Sequence, residues 1–288
     1  MALPHDPLWP RAQSLFTQGN GSSDITLLGI PASKTSISPT SAHLTPDSIR
    51  SALLRYSLAH SDPRVSIEKL SLKDAGNIAS SDDDEPFAIS QIKKISQVSK
   101  MIIAMGGDNS ITYSSVKGTG ATGLITFDAH YDLRDGVSNG SPVRRLIEAG
   151  LDGKKVVQIG IADFSNSPAY AKRAQDFGIT VIPRSALRTR SLSEVWEQAL
   201  EIAGDRVFVD FDMDVCDRSV VPACPAAAPG GISADELRQF AFMVGSSRQV
   251  IGADITEIDA AKDSDDERTV RLAALVVLEL IAGFSTRE

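Results

Sequence analysis

The segment GLITFDAHYDLRD, Gly123–Asp135, joins a short apolar run to a polar end. The β-prone residues at its start predict a buried strand. Asp128, His130 and Asp132 follow at alternate positions, and an extended chain turns alternate side chains to the same side. The segment therefore predicts a strand that ends with three metal-capable side chains converging on one point.

Apolar, strand-like runs alternate with helical patterns along the chain. Strands are predicted at Ile25–Ile30, Ile67–Leu70, Met101–Met105, Gly123–Phe127, Lys155–Ile159, Ile179–Ile182, Arg206–Asp210 and Gln249–Ala253. Helices are predicted at Pro46–Ser57, Pro142–Ala149, Leu192–Ala203, Ala234–Val244 and Glu267–Ala282. This alternation predicts an α/β fold with a parallel sheet that is covered by helices on both faces.

Composition excludes several classes of protein. The net charge of -8 argues against a nucleic-acid binder that works by neutralising phosphates. No apolar run is long enough to cross a bilayer, and the first residues lack the order of a secretory signal, so we expect a cytoplasmic protein without a membrane partner. Two cysteines, Cys216 and Cys224, are too few for a disulfide framework and are expected to be reduced.

Three further apolar runs also end in acids or amides: IIAMGGDNS (Ile102–Ser110), VFVDFDMDVCD (Val207–Asp217) and IGADITEID (Ile251–Asp259). The carboxyl ends of parallel strands meet at one edge of a sheet, where ligands of α/β proteins bind. Carboxylates gathered there would raise each other's pKa unless cations lay between them. The strand ends therefore predict a metal centre.

The types of ligand indicate which metal would bind. Carboxylates with a single imidazole suit hard divalent ions such as manganese better than zinc or copper. Five side chains are candidates, enough for two bridged ions: Asp128, His130, Asp132, Asp212 and Asp214. Two such ions can hold a hydroxide and polarise a carbon–nitrogen centre. A lone Asp would more often cap a helix or turn, but D-A-H-x-D and D-x-D on two strand ends favour metal ligands.

These motifs resemble those of the arginase and agmatinase group of ureohydrolases. The matches follow the family's order: GGDNS (Gly106–Ser110), DAHYD (Asp128–Asp132), NGSPVRRLIE (Asn139–Glu148), DFDMDVCD (Asp210–Asp217) and ITEID (Ile255–Asp259). The resemblance implies a three-layer α/β/α sandwich with a central, mostly parallel sheet, in a single domain over residues 1–288. It also implies a two-manganese site, hydrolysis of a guanidino or amidine carbon–nitrogen bond, and a homo-oligomer, either a trimer or a hexamer.

The resemblance also implies roles for individual residues. It implies that Asp128 and Asp212 are bridging carboxylates. It implies that His130, Asp132 and Asp214 are terminal ligands. Glu257 would pair with the cationic nitrogens of the substrate, as an anion opposite a planar amidinium should. Asp132 would also carry a proton to the departing amine as a general acid.

Two positions depart from the family's usual motifs. Asn109 stands where the family usually has a histidine that binds one metal, and an amide oxygen is a weaker donor to manganese than imidazole. Asn109 is therefore a sixth candidate metal ligand, and we expect the metal site near it to be weak, or empty without added metal. The loop that usually reads His-Gly-Thr-Pro in guanidino hydrolases begins here with Asn139, which favours a different substrate or mechanism.

Arginines near these motifs indicate an anionic substrate. Arg134 follows the D-A-H-x-D motif and presents a planar fork that suits a carboxylate, with Asn139 expected to bind the same region. Arg144 and Arg145 either contact the substrate as well or form surface salt bridges. SNGSPVR (Ser138–Arg144) and SISPTSA (Ser36–Ala42) are similar to the branch of the family that acts on N-formimidoyl-L-glutamate.

The preferred function is therefore manganese-dependent hydrolysis of N-formimidoyl-L-glutamate to L-glutamate and formamide, a step of histidine degradation, by a metal-bound hydroxide. A guanidino hydrolase similar to agmatinase or guanidinobutyrase is the first alternative. The second is a non-catalytic homologue with a weakened metal site, which would bind a metabolite or regulate a partner subunit.

Three polar or flexible segments are interpreted as loops. The acidic run SSDDDEP, Ser80–Pro86, is expected to be a solvated loop that leads into a helix. VPACPAAAPGG, Val221–Gly231, is expected to be a long loop at the rim of the site. Ser36–Ala42 either lines the same mouth or simply connects two elements.

Overall fold

The computed structural model describes residues 6–287 and contains nine strands in one sheet. The strands are β1 Phe16–Gln18, β2 Ser23–Ile30, β3 Leu72–Asn77, β4 Ser99–Gly106, β5 Gly123–Phe127, β6 Val156–Ile161, β7 Thr180–Pro183, β8 Val207–Asp212 and β9 Val250–Thr256. The helices are α1 Thr45–Leu53, α2 Glu85–Ser96, α3 Ile111–Thr119, α4 Pro142–Glu148, α5 Pro168–Phe177, α6 Leu192–Ala203, α7 Ala234–Ser246 and α8 Arg268–Phe284.

The strand order is β1-β3-β2-β4-β9-β8-β5-β6-β7, and the neighbouring strands pair in parallel. The chain leaves β4 and continues into β5, but β9 and β8 lie between these two strands in the sheet. This is a topological switch point, where the loops after neighbouring strands separate and leave a crevice. The last strand of the chain, β9, is thus in the middle of the sheet.

Helices cover both faces of the sheet. The larger hydrophobic core joins α1, α6, α7 and α8 to one face, while α2 to α5 pack on the other face in two smaller clusters. Strand β4 illustrates the alternation, since Met101 and Ile103 belong to the larger core and Ile102 and Ala104 to the opposite cluster. The predicted three-layer α/β/α sandwich with a mostly parallel sheet is therefore confirmed.

The strand predicted at Ile67–Leu70 is wrong. Ile67–Lys69 forms a short 3-10 helix, and the strand begins later, at Leu72. The residues of β3, LKDAGN, include several with poor β propensity, so the local pattern did not indicate a strand. Parallel pairing with β1 on one side and β2 on the other overrides this weak propensity.

Other predicted elements are present with shifted ends. The predicted helix at Pro46–Ser57 ends at Leu53, and the strand predicted at Arg206–Asp210 runs on to Asp212. The acidic run does lead into a helix, because Asp84 caps α2 by accepting a hydrogen bond from the backbone N–H of Phe87. Helices α3 and α5 and the short strand β1 were not among the predicted elements.

Both cysteines are buried and unpaired, as expected for reduced thiols. Among residues 6–287, no helix has the length and apolar character needed to cross a membrane. The predicted domain limits, residues 1 and 288, lie outside the described residues.

Candidate active site

The topology brings four polar strand ends together. Strands β4, β9, β8 and β5 are adjacent at the centre of the sheet. Asn109 follows β4, Glu257 follows β9, Asp212 ends β8 and Asp128 follows β5. The four side chains therefore meet at the carboxyl edge of the sheet, where the switch point opens the crevice.

The structure brings together five of the six side chains predicted to bind metal, all except Asn109. Two groups have ligand atoms within 4.8 Å of one another: Asp128, His130 and Asp214, and Asp128, Asp132 and Asp212. Asp128 belongs to both groups, so its carboxylate lies where two neighbouring ions could share it. The four carboxylates are buried, whereas the His130 side chain is 27% exposed and opens into a cavity.

Backbone N–H groups orient the carboxylates. His130 donates from its backbone nitrogen to Asp128 Oδ1 (2.6 Å), and Asp214 donates in the same way to Asp212 Oδ1 (2.9 Å). The backbone nitrogen of Ala129 donates to Asp214 Oδ1 at 3.2 Å. Each bond fixes one oxygen of a carboxylate, so the side chain has a single preferred direction at the strand end.

The charges of the cluster are poorly balanced without a metal. Burial, together with the charge of Asp214, raises the pKa of Asp128 to about 6. Burial and neighbouring carboxylates also raise the pKa values of Asp132 and Asp212. Although burial opposes it, the charges of Asp214 and Asp128 raise the pKa of His130 to about 12. Four buried carboxyl groups thus face one imidazolium, and without a cation the repulsion among them favours the protonated forms of Asp128, Asp132 and Asp212.

The residues present fit a divalent cation. Asp128 Oδ2 is buried and has no hydrogen-bond partner among the described residues, which is costly for a carboxylate oxygen. An oxygen-rich set with one imidazole has the chemistry that hard divalent ions such as Mn²⁺ prefer. A cation would satisfy the orphaned oxygen and offset the like charges at the same time.

Asn109 is buried beside this cluster with its amide nitrogen facing it. The Nδ2 atom donates to Asp132 Oδ2 at 2.6 Å. The Oδ1 atom lies 2.7 Å from Thr112 Oγ1 and 3.3 Å from Thr256 Oγ1, so it is occupied by two threonine hydroxyls. An amide nitrogen offers no lone pair to a metal, so ligation by Asn109 would require its oxygen to turn toward the cluster.

Glu257 has one oxygen occupied by protein donors. Its Oε1 atom accepts from the backbone nitrogen of Asn109 and from Nδ2 of Asn139, both at 2.8 Å. Burial, with the charge of Asp108, raises the pKa of Glu257 to about 7. Its backbone φ is 63° and that of Asp132 is 53°, in the left-handed region that side chains other than glycine rarely adopt. Such conformations are typical of functional sites that the surrounding fold holds in place.

A cavity of about 290 Å³ lies over the cluster. It is lined by His130, Asp132, Asp212, Asp214 and Glu257 at its base, and by Ser36, Ile37, Ser38, Thr40, Arg134, Asn139, Pro225 and Ala226 among others around it. The loops at Ser36–Ala42 and Val221–Gly231 therefore both line the mouth. Arg134 forms no ion pair among the described residues, so its guanidinium is available to a ligand.

Asn139 connects its own loop, between Leu133 and Ser141, to the loop at Ser36–Ala42. Its Oδ1 atom accepts from the backbone nitrogen of Ile37 (3.0 Å), and its own backbone nitrogen donates to the carbonyl of Thr35 (3.2 Å). Because its Nδ2 atom also binds Glu257, Asn139 links both loops to the base of the cavity.

Arg144 and Arg145 do not line the cavity. Arg145 forms a two-pronged ion pair with Glu85 at 2.7 and 2.9 Å and stacks 3.8 Å from the ring centre of Tyr113. Arg144 pairs with Glu148 and donates to backbone carbonyls near Arg134. The structure therefore favours the alternative of intramolecular pairing for both arginines.

Sequence reasoning missed the segment Ser165–Tyr170, which lines another side of the cavity. Within it, Asn166 accepts from the backbone nitrogen of Tyr131 (3.1 Å) and donates to the carbonyl of Ala129 (2.8 Å). These bonds support the backbone around His130. Its position in the sequence could have indicated a role, because the segment follows β6, which is the neighbour of β5 in the sheet. It carries none of the acidic residues that marked the other strand ends.

Comparison with known proteins agrees with this architecture. The family model described as the arginase family matches residues 23–283. The chain belongs to the arginase family. Formimidoylglutamase of Halalkalibacterium halodurans is 37% identical over 277 residues, which cover 89% of this chain and 86% of that protein.

Solved structures of arginase-family proteins superpose closely on this chain. The crystal structure of formimidoylglutamase from Bacillus subtilis has a TM-score of 0.93 at 30% identity and covers 99% of this chain and 95% of its own. Formiminoglutamase from Trypanosoma cruzi, solved with Mn²⁺, has a TM-score of 0.90 at 25% identity and covers 97% of this chain and 100% of its own.

Proposed function

We propose that this chain hydrolyses N-formimidoyl-L-glutamate to L-glutamate and formamide with bound manganese. The observation that carries the proposal is that one cavity joins an Asp/His cluster to an unpaired arginine, Arg134. The cluster suits hydrolysis of a carbon–nitrogen bond, and the arginine suits a substrate with carboxylates. The similarity to formimidoylglutamases over most of the chain supports the same substrate.

Two manganese ions would be held by Asp128, His130, Asp132, Asp212 and Asp214, and Asp128 belongs to both groups of converging side chains. When bound, these ions supply Lewis acidity and lower the pKa of coordinated water. We further propose that the site nearest Asn109 is the weaker of the two, because the amide nitrogen of Asn109 faces the cluster.

Glu257 would hold the formimidoyl group. Its Oε1 atom is occupied by Asn109 and Asn139, which leaves Oε2 to accept hydrogen bonds from the substrate's cationic nitrogens. Asn139 would keep Glu257 in this orientation while its loop borders the substrate. The bond that breaks joins the formimidoyl carbon to the glutamate nitrogen.

Asp132 would transfer the proton that the departing amine needs. It is buried at the base of the cavity, and burial together with the charges of neighbouring carboxylates raises its pKa. Asn109, which donates to Asp132 Oδ2, would keep that carboxyl oriented. Arg134 would bind a carboxylate of the glutamate portion at the mouth of the cavity.

The guanidino-hydrolase alternative is not favoured. Agmatine carries no carboxylate for Arg134, and the position of the family's loop histidine is occupied by Asn139, which is bonded to Glu257. The non-catalytic alternative predicts metal binding without turnover on any amidine, so the assay that tests the proposal also tests this alternative.

The deciding experiment is product release by purified protein incubated with Mn²⁺. N-Formimidoyl-L-glutamate, agmatine, arginine and guanidinobutyrate are supplied in parallel, and glutamate and urea are both assayed. Glutamate from the first substrate alone is the expected result. Urea from a guanidino compound would replace the proposal with the first alternative, and no product from any of the four, with metal bound, would favour the non-catalytic homologue.

We also propose that the protein is cytoplasmic and, from the resemblance, that residues 1–288 form a single domain that assembles as a trimer or hexamer. Light scattering of the purified protein tests the assembly, because a monomer would contradict it.

A further inference from the structure

The segment that carries Arg134 has no regular secondary structure. Between Leu133 and Ser141 the chain is extended or bent, and few bonds within it fix its shape. The backbone nitrogen of Arg134 donates to the carbonyl of Gly140 at 2.9 Å, and Ser138 and Ser141 bond to each other. A segment of this kind would move freely unless other elements held it.

Arg144, on α4, holds this segment from outside the cavity. Its Nε atom donates to the carbonyl of Arg134 at 2.6 Å, and its Nη2 atom donates to the carbonyl of Gly136. Its Nη1 atom pairs with Glu148, one turn further along the helix, which fixes the direction of the guanidinium. The Arg144 side chain is only 11% exposed, although its partners Arg134, Gly136 and Glu148 lie at the surface.

A second arginine holds the same segment from the other side. Arg173, on α5, donates to the carbonyl of Leu133 at 2.6 Å and pairs with the carboxylate of Asp135 at 2.8 Å. Two helices therefore bind the carbonyls of residues 133, 134 and 136. We call this pair, Arg144 and Arg173, the carbonyl clamp.

The Arg134 side chain itself lies across Gly140. A Cβ atom added to Gly140 would be 2.8 Å from Arg134 Cδ and 3.2 Å from its Nε, closer than van der Waals contact allows. The missing side chain of Gly140 thus provides the space that Arg134 occupies. The direction of the Arg134 side chain over the cavity therefore depends on the backbone at both ends of the segment.

We propose that Arg144 is a positioning residue that sets affinity for the substrate carboxylate by fixing the backbone on which Arg134 stands. An arginine loses considerable side-chain entropy when it binds an anion. If the backbone that carries it is already fixed, binding does not have to order that backbone as well, and the entropy cost is smaller. Arginine suits the role because its rigid fork reaches two carbonyls and a carboxylate together, which a lysine cannot do. The inference rests on the proposed function.

The test uses Arg144→Lys, which keeps the charge near Glu148 but loses the fork. We expect KM for N-formimidoyl-L-glutamate to rise about tenfold with little change in kcat, because displaced positioning groups weaken binding by such factors. In an Arg134→Ala background the same substitution should change KM less than about twofold, because Arg144 acts through Arg134. Equal effects in both backgrounds, or a loss confined to kcat, would overturn the proposal.

Arg145→Gln is the matched control. Arg145 is the next residue of α4 and is similarly buried, but it pairs with Glu85 and stacks on Tyr113 without contacting the segment. It should leave KM unchanged even if it lowers Tm. A rise in KM equal to that of Arg144→Lys would mean that damage to α4 explains both variants.

Hydrogen exchange separates this inference from the proposed function. The backbone amides of Arg134 and Asn139 are hydrogen-bonded, and they should exchange faster in Arg144→Lys than in the wild type and in Arg145→Gln. Unchanged exchange would overturn the clamp. Wild-type protein that releases no glutamate would overturn the proposed function, and the exchange rates would still decide whether Arg144 holds the segment.

Discussion

At the scale of single residues, Asn109 is the most informative departure from the family's motifs. Its amide nitrogen points at the carboxylates and its oxygen at two threonine hydroxyls. We expect Asn109→His to tighten Mn²⁺ binding at the weaker site about tenfold, or about 1.4 kcal/mol, because imidazole is a stronger donor than an amide. Calorimetric titration with Mn²⁺ measures this, with Asn109→Ala as the control for simple loss of the amide.

Unchanged affinity in Asn109→His would mean that residue 109 does not reach a metal. In that case the role of Asn109 would be limited to its hydrogen bond with Asp132 and to the backbone bond with Glu257.

Arg134 carries the selectivity predicted for this site. We expect Arg134→Ala to raise KM for N-formimidoyl-L-glutamate by about 10- to 100-fold, since a hydrogen-bonded charge contributes about 1.5 to 3 kcal/mol. KM for an amidine without carboxylates, such as N-butylformamidine, should stay nearly constant. Steady-state kinetics on both compounds measure the difference, and equal losses on the two would indicate damage to the fold.

At the scale of elements, the acidic run before α2 contains two aspartates with different tasks. Asp82 accepts from the backbone nitrogens of Ser33 (2.9 Å) and Lys34 (3.0 Å), which begin the loop that lines the cavity. Asp84 instead caps α2 by accepting from Phe87. The run is therefore more than a solvated loop, because it holds one wall of the cavity in place.

The two aspartates give a matched pair of variants. We expect Asp82→Ala to raise KM several-fold, because the loop at Ser36–Thr40 loses its anchor. Asp84→Ala should lower the free energy of unfolding by about 1 kcal/mol with no change in KM, as for the loss of a helix cap. Urea unfolding and kinetics on both variants check this, and the reverse assignment of the two effects would contradict it.

The sequence predicted elements best where local pattern and tertiary role agree. Buried strands such as Gly123–Phe127 are mostly apolar, with Thr126 the one polar side chain in this strand, so their interior position can be predicted from composition. Strand β3 was misplaced because LKDAGN becomes a strand through pairing with β1 and β2, which no local pattern reports. The contribution of Asn166 was missed for a similar reason, since its place beside Ala129 and Tyr131 depends on how β6 pairs with β5.

At the scale of the whole molecule, the cluster links pH, metal and stability. Without metal the folded protein holds protons that the unfolded chain releases, since the pKa of Asp128 is raised from 3.8 to about 6, that of Glu257 from 4.5 to about 7, and that of His130 from 6.5 to about 12. The folded state therefore binds more protons between about pH 4 and pH 8, and stability must fall as pH rises through this window.

We accordingly expect the Tm of the metal-free protein to decrease from pH 5 to pH 8. The contribution of Asp128 and Glu257 to the free energy of unfolding is fully present below their unfolded pKa values and is lost by about pH 7. The contribution of His130 declines above pH 6.5. Mn²⁺ should offset the trend, because it binds deprotonated ligands more tightly as pH rises and adds about 2.7 kcal/mol at 100 times its Kd. Calorimetry with EDTA and with Mn²⁺ measures both series; a metal-free Tm that rises with pH would contradict the assignment.

The central position of β9 has a consequence for synthesis on the ribosome. In the finished sheet β9 and β8 lie between β4 and β5. Because β8 and β9 are synthesised after the other strands, β4 and β5 each emerge without one neighbour. A chain that has emerged only as far as β7 can therefore pair its strands only into two partial sheets, whose inner edges would be open to aggregation and to chaperones. Asp212 and Glu257 arrive with these late strands, so the hydrolytic centre cannot assemble before residue 257 has been translated.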